Sequence, residues 1–140
     1  MKLKDFDFRI WNKDEETLTY ASKDYKLDIG FSNPQQDYGV CESELHAYYD
    51  GEPMCPSDCE IELWSGFYDK DGTKIYENDI ITCYFAMNGQ IVFEDAMFYV
   101  VDQNSGNKKL LYDVIQESRL ERESILVEGN IHEQGDKDDE

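Results

Sequence analysis

The chain has 140 residues, 40% of them hydrophobic and 14% aromatic, with 32 acidic side chains against 13 basic ones and a formal net charge of -19. That length suits one ordinary domain, or a β domain with a smaller appendage, and the aromatic content is enough to build a core. The charge disfavours direct binding to DNA, RNA or an anionic membrane, because affinity for phosphate backbones comes largely from cations that displace counterions. No apolar run reaches the length of a membrane-spanning helix, and the opening Met1-Lys2-Leu3-Lys4-Asp5 has no secretory hydrophobic region, so a cytoplasmic protein with reduced cysteines is expected.

In chain order, Phe6 to Trp11 alternates apolar and polar side chains, as a half-buried strand does. Asn12-Lys13-Asp14-Glu15 reads as a turn and Thr17 to Tyr20 as a returning strand, which predicts an N-terminal hairpin. Tyr25 to Phe31 alternates again and ends at Asn33-Pro34. Residues 34–59 hold all three prolines and three of the four cysteines; they read as mostly loop, with a turn or two of helix over Glu42 to Tyr49.

Regular patterning returns at Glu60. Ile61 to Trp64 is a short alternating strand, and Asp69-Lys70-Asp71-Gly72 is a turn whose Gly tolerates positive φ. Ile75-Tyr76 and Asp79 to Phe85 follow, the second apolar enough to be a central strand. Asn88-Gly89 is a hairpin signal joining it to Gln90–Glu94, and Met97 to Val101 continues the meander. Leu110, Leu111, Val114 and Ile115 fall at helical spacing and predict a helix over about 108–118. Ile125 to Ile131 is a last strand, and residues 134–140 form an acidic tail expected to fray. The pattern as a whole predicts a mainly β, α+β fold with a minor helix. It divides into an N-terminal β subdomain (1–59), a β-rich core (60–133) and the tail.

Candidate chemistry is sparse. Cys55 and Cys59 form a C-x3-C pair that, with Cys41 and His46, is the best available zinc set; but zinc sites commonly use two close pairs, and only one exists. Cys83 sits in an apolar strand, as a small core residue would. The Asp69–Gly72 turn lacks the order of a calcium loop. His46 and His132 are the only histidines, and neither has a neighbouring nucleophile in a known local pattern. No catalytic residue and no cofactor is assigned on these grounds. The aromatic set Trp11, Trp64, Tyr68, Phe85, Phe93 and Phe98 reads as core before it reads as a groove.

Three stretches resemble a known family. Trp64-Ser-Gly-Phe-Tyr-Asp69-Lys-Asp-Gly72-Thr-Lys-Ile-Tyr76-Glu-Asn78-Asp79-Ile-Ile81 is similar to the T-G-L-x-D-x-x-G-x-x-I-Y-E-G-D-I-V stretch of the YopX-like proteins. Phe8-Arg9-Ile10-Trp11-Asn12-Lys13 resembles that family's opening F-R-x-W-d-k, and Val127 to Glu133 its closing V-I-G-N-I-Y-E. Asn78 stands where Gly is usual and His132 where Tyr is usual, and residues 34–59 match no part of the pattern. The resemblance implies a phage- or prophage-encoded protein of the bacterial cytoplasm, a complex bifurcated sheet and homo-oligomers, with no established activity and no site residues. The motif also reads as a turn feeding a strand, as in SH3-like barrels. The functional expectation is a non-catalytic module that associates with itself and with a protein partner. An acidic decoy of a nucleic-acid-binding protein is the alternative, and a small zinc-dependent module the third reading.

Overall fold

Period-two alternation dominates the local structure because aromatic and β-branched side chains fit a pleated surface that is covered on one face. The computed structural model describes residues 1–31 and 44–133. These divide into two units, one formed by Asp7–Glu62 and the other by Met1–Phe6 with Leu63–Glu140.

In the first unit, β1 (Phe8–Asn12) and β2 (Thr17–Tyr20) form the expected hairpin, with Arg9 opposite Tyr20 and Asn12 opposite Thr17. The Asn12 side chain closes the turn by accepting the amides of Asp14 and Glu15. β3 (Leu27–Phe31), β4 (Leu45–Tyr49) and the two-residue β5 (Glu52–Pro53) make a second antiparallel sheet. This corrects two expectations. Residues 45–49 are a strand rather than helix, and 44–59 carry more regular structure than a loop, because Leu45 to Tyr49 pair along the whole of β3. Residues 34–43 of the expected loop, and the tail, lie outside the described residues.

β6 (Cys59–Tyr68) begins in this unit, neighbouring β1, and ends in the other, where Trp64 and Tyr68 pair with Tyr76 and Lys74 of β7 (Lys74–Tyr76). Between those two pairs the register slips, and Gly66 sits in the bulge at φ +89°.

The second unit contains a five-stranded antiparallel sheet. Its strands are β8 (Asp79–Thr82), β9 (Gly89–Glu94), β10 (Met97–Asp102), β11 (Lys108–Leu110) and β12 (Leu126–Asn130), in the order β11-β10-β9-β8-β12. The helix α1 (Leu111–Glu121) lies between β11 and β12 in the chain and packs against β10 and β11. It starts three residues later than the spacing predicts, because Lys108 to Leu110 pair with Val101 to Tyr99 before the chain turns helical. The core is built from Ile75, Ile81, Ile91, Val100, Leu111 and Val114, all essentially inaccessible, with Cys83 among them as a buried thiol. The protein is therefore mostly β with a minor helix, built from curled antiparallel sheets with a half-barrel.

Gly89 is a further correction. It is not at a two-residue turn: Cys83–Asn88 link β8 to β9, closed by the Cys83 amide donating to the Ala86 carbonyl at 2.8 Å. Gly89 lies inside β9, where a Cβ would meet Val100 Cγ1 at 2.7 Å and Ala86 Cβ at 3.3 Å. Close packing, not backbone freedom, requires glycine there.

Candidate functional site

The Trp64–Ile81 stretch is folded by its own polar groups. Asp69 is buried, and its Oδ1 accepts the amides of Asp71 and Thr73, both at 2.9 Å, which shapes the turn ending at Gly72. Its Oδ2 accepts the Val127 amide of β12 at 3.0 Å, and the Lys70 amide donates to the Ile125 carbonyl at 2.9 Å. One carboxylate thus ties the turn both to itself and to the last strand. Asp79 repeats the device locally, its Oδ2 accepting the Tyr76 amide at 2.8 Å.

Asn78 adopts φ +69°, the left-handed region that Asn tolerates better than most side chains. Its amide donates to the Ile91 carbonyl at 2.7 Å, its carbonyl accepts the Ile131 amide at 3.0 Å, and its Oδ1 accepts Gln90 Nε2 at 3.2 Å. The position explains why glycine suits it, and the side-chain bond shows what Asn adds. Trp64 Nε1 donates to the Phe67 carbonyl at 2.9 Å across the Gly66 bulge, its ring meets Tyr68 edge-on at 5.3 Å, and Lys74 Nζ lies 4.4 Å from its centroid.

The end of β6, the stapled turn, α1 and the segment just before β12 line an open cleft of about 340 Å³. Buried Ile115 and Ile125 line it together with Tyr68, Lys70, Ser118 and Arg119, and Asp69 and Glu123 contribute carboxylates. Ile115, Ser118 and Arg119 share one helix face at i, i+3 and i+4. Ser118 is 3% exposed, and its hydroxyl has no hydrogen-bond partner among the described residues. The sequence reading missed Ser118, although a readable signal existed: it falls on the apolar stripe of Leu111, Val114 and Ile115, where a hydroxyl is out of place.

The zinc candidates are dispersed. Cys55 is exposed, with its Sγ 3.2 Å from Ser57 Oγ. His46 and Cys59 meet in a different, mostly apolar cleft of about 130 Å³ that includes Ile29, Met54 and Ile61, and Cys55 is not part of its lining. Burial pushes the Cys59 thiol up, reinforced by the Asp58 carboxylate, which disfavours the thiolate that zinc needs. Cys41 lies outside the described residues. Among the described residues, no three His, Cys, Asp or Glu side chains gather as a metal site would require.

Of the aromatic set, Phe85 and Phe98 pack against the core. Phe93 faces Phe98 in register, with centroids 4.8 Å apart, and remains partly exposed.

The buried Arg9 of the first unit was also missed. Its Nε donates to Glu62 Oε1 at 2.8 Å and its Nη1 to the Tyr20 hydroxyl at 3.3 Å, with both charged side chains 1% exposed. The opening F-R-x-W motif therefore contributes an internal ion pair.

The family model for the YopX protein matches residues 7–136. The chain belongs to the YopX family. Protein EF1440 from Enterococcus faecalis, known from a crystal structure, is similar to this YopX-family chain in fold: the TM-score is 0.53 at 22% identity, over 93% of this chain and 95% of that one. No curated protein matches. Among the described residues, no helix is long and apolar enough to cross a membrane.

Proposed function

We propose that this YopX-family chain is a phage or prophage accessory protein that works without catalysis, in the bacterial cytoplasm, by associating with itself and with a protein partner. The observation that carries this reading is the use made of the signature's polar side chains. Both Asp69 oxygens, the Asp79 Oδ2 and the Asn78 Oδ1 are engaged in bonds that shape the chain, so the motif that marks the family reads as architecture. The first unit adds an apolar surface: Phe31 and Leu45 stand opposite each other in β3 and β4, 74% and 50% exposed.

Size-exclusion chromatography with light scattering tests the assembly part. An oligomer that Phe31→Ser with Leu45→Ser dissociates is the expected result. A strict monomer that captures no partner from infected cells would sink the reading. The decoy alternative draws on the charge of -19 and predicts capture of a basic partner that weakens steeply with salt. Against it, Asp24 and Asp102 each accept a local backbone amide, the ordinary use of an aspartate at a turn.

A further inference from the structure

We infer that a second open cleft, at the C-terminal end of α1, docks a partner protein through a short segment that carries a large apolar side chain flanked by Lys or Arg. This docking site rests on the partner association proposed above and gives it a place and a chemistry, apart from the exposed Phe31 and Leu45. The helix supplies one wall, where Glu117, Leu120 and Glu121 share a face at i, i+3 and i+4. Tyr84, in the connection between β8 and β9, supplies the other, and Glu123 from the segment after α1 completes the lining of about 290 Å³. Tyr84 is held in place. Its hydroxyl donates to Glu117 Oε2, and Lys109 Nζ bonds to the same oxygen at 2.5 Å while lying 5.6 Å from the Tyr84 ring centroid. A wall already fixed in the free chain lowers the ordering cost of binding.

Two features of the lining set the partner's chemistry. Leu120 is 81% exposed and Tyr84 44%, so an aliphatic and an aromatic side chain stand uncovered side by side, and covering both with an apolar group is favourable. Carboxylates surround them: the lining contains Glu117, Glu121 and Glu123 and, among the described residues, no Lys or Arg. Lys109 offsets Glu117. Glu121 and Glu123 are exposed, and their side chains have no ion pair or hydrogen bond among the described residues. Arg119 lines the cleft beside the Asp69 turn instead, and Arg122 lines neither. The last turn of an eleven-residue helix adds the negative end of its dipole. A second copy of this chain, with its net charge of -19, is therefore disfavoured as the occupant. A purely basic surface would leave Leu120 and Tyr84 uncovered. A segment with an apolar anchor between cations answers both features, and the cleft has room for one such anchor.

Titration of the full chain with end-blocked synthetic peptides, followed by amide chemical shifts, tests this docking. The probes are Lys-Lys-Trp-Lys-Lys, the same peptide with Ala for Trp, and Glu-Glu-Trp-Glu-Glu. The first is expected to saturate with Kd on the order of 0.1–1 mM at about 50 mM salt, shifting the amides of Tyr84, Leu120 and Glu121 and leaving those of Phe31 and Leu45 in place. The Ala peptide should bind about tenfold more weakly, and the acidic peptide should not saturate. Leu120→Ser changes an exposed position, so it should keep the urea midpoint while weakening the first peptide about fivefold or more. Glu121→Gln with Glu123→Gln should weaken that peptide and flatten its salt dependence. The docking site is overturned if the first peptide does not saturate at about 10 mM, if the Ala or the acidic peptide binds equally well, if Leu120→Ser binds like the wild type, or if the shifts gather elsewhere. Light scattering on the same samples keeps this result apart from the assembly reading. An oligomer that does not bind the peptide removes the docking site alone, whereas a monomer that binds it removes the self-association and leaves the docking site standing.

Discussion

Asp69→Ala should be among the most damaging single changes in the second unit. The wild-type carboxylate accepts three backbone amides, those of Asp71 and Thr73 at 2.9 Å and of Val127 at 3.0 Å. Bonds to a charged acceptor contribute about 1.5–3 kcal/mol each where the donor is cut off from water. The Asp71 and Thr73 amides belong to an exposed turn, where water replaces much of the loss, so about 0.5–1 kcal/mol each is appropriate. The Val127 amide is in a partly buried strand and merits about 1.5–2 kcal/mol. The total is about 3 kcal/mol, and at a urea m-value of about 1.5 kcal/mol/M the midpoint should fall by about 2 M.

Asn at the same position keeps one acceptor oxygen. It can serve the turn or the strand but not both, and its NH2 faces whichever amide is left. Asp69→Asn should therefore lie about midway between wild type and Ala. The assay is urea unfolding followed by Trp64 fluorescence in a Trp11→Phe background, so that the signal comes from the unit concerned. A loss under about 1 kcal/mol for Asp69→Ala, or equal losses for Asn and Ala, would refute the claim that both oxygens are structural.

In the first unit, Arg9→Met or Glu62→Leu alone should cost about 3–5 kcal/mol, because each strands a buried charge, while the double variant should cost less than either single change; a double-mutant cycle in urea measures this. Gly89→Ala should destabilise by about 1–3 kcal/mol through overpacking, and Val100→Ala, which removes the Cγ1 lying 2.7 Å from the new Cβ, should reduce that penalty; equal cost in both backgrounds would disprove the contact. Burial raises the thiol pKa of Cys59 and Cys83 above the ordinary value, so less of each is thiolate at a given pH. Alkylation at pH 8 followed by peptide mapping should find exposed Cys55 modified ahead of Cys59 and Cys83 last, and the Cys59 rate should still be climbing above pH 9; early labelling of Cys83 would contradict its place in the core.

The elements that were legible in the sequence are those whose physics is local. The β1–β2 hairpin follows from alternation around a polar turn, and the burial of Cys83 from its apolar surroundings. What was not legible depends on partners far along the chain. Glu42 to Tyr49 reads locally as a turn or two of helix, yet Leu45 to Tyr49 pair with β3. Asn88-Gly89 has the local chemistry of a tight turn, yet Gly89 is constrained by Val100, eleven positions away in the sequence. Arg9 and Glu62 look like two more surface charges until β1 and β6 are neighbours. The cleft was illegible for the same reason, since its walls come from two stretches far apart in the chain, residues 66–70 and 115–125.

The division of labour within the signature has a consequence for the family. The lettered positions filled here by Asp69, Gly72, Asn78 and Asp79 all serve backbone geometry, through amides accepted or through positive φ. Lys70 occupies a position that the signature leaves open, and Ser118 and Arg119 lie outside it altogether, on α1. A protein can therefore keep every structural bond of the motif while changing the charge and hydrogen bonding of the cleft beside it. Transplanting the lettered residues should carry the stapled turn and its stability, whereas exchanging the exposed Lys70 and Arg119 should leave the unfolding midpoint nearly as it was. Urea unfolding of the two exchanges separates the positions that hold the turn from those that only line the cleft.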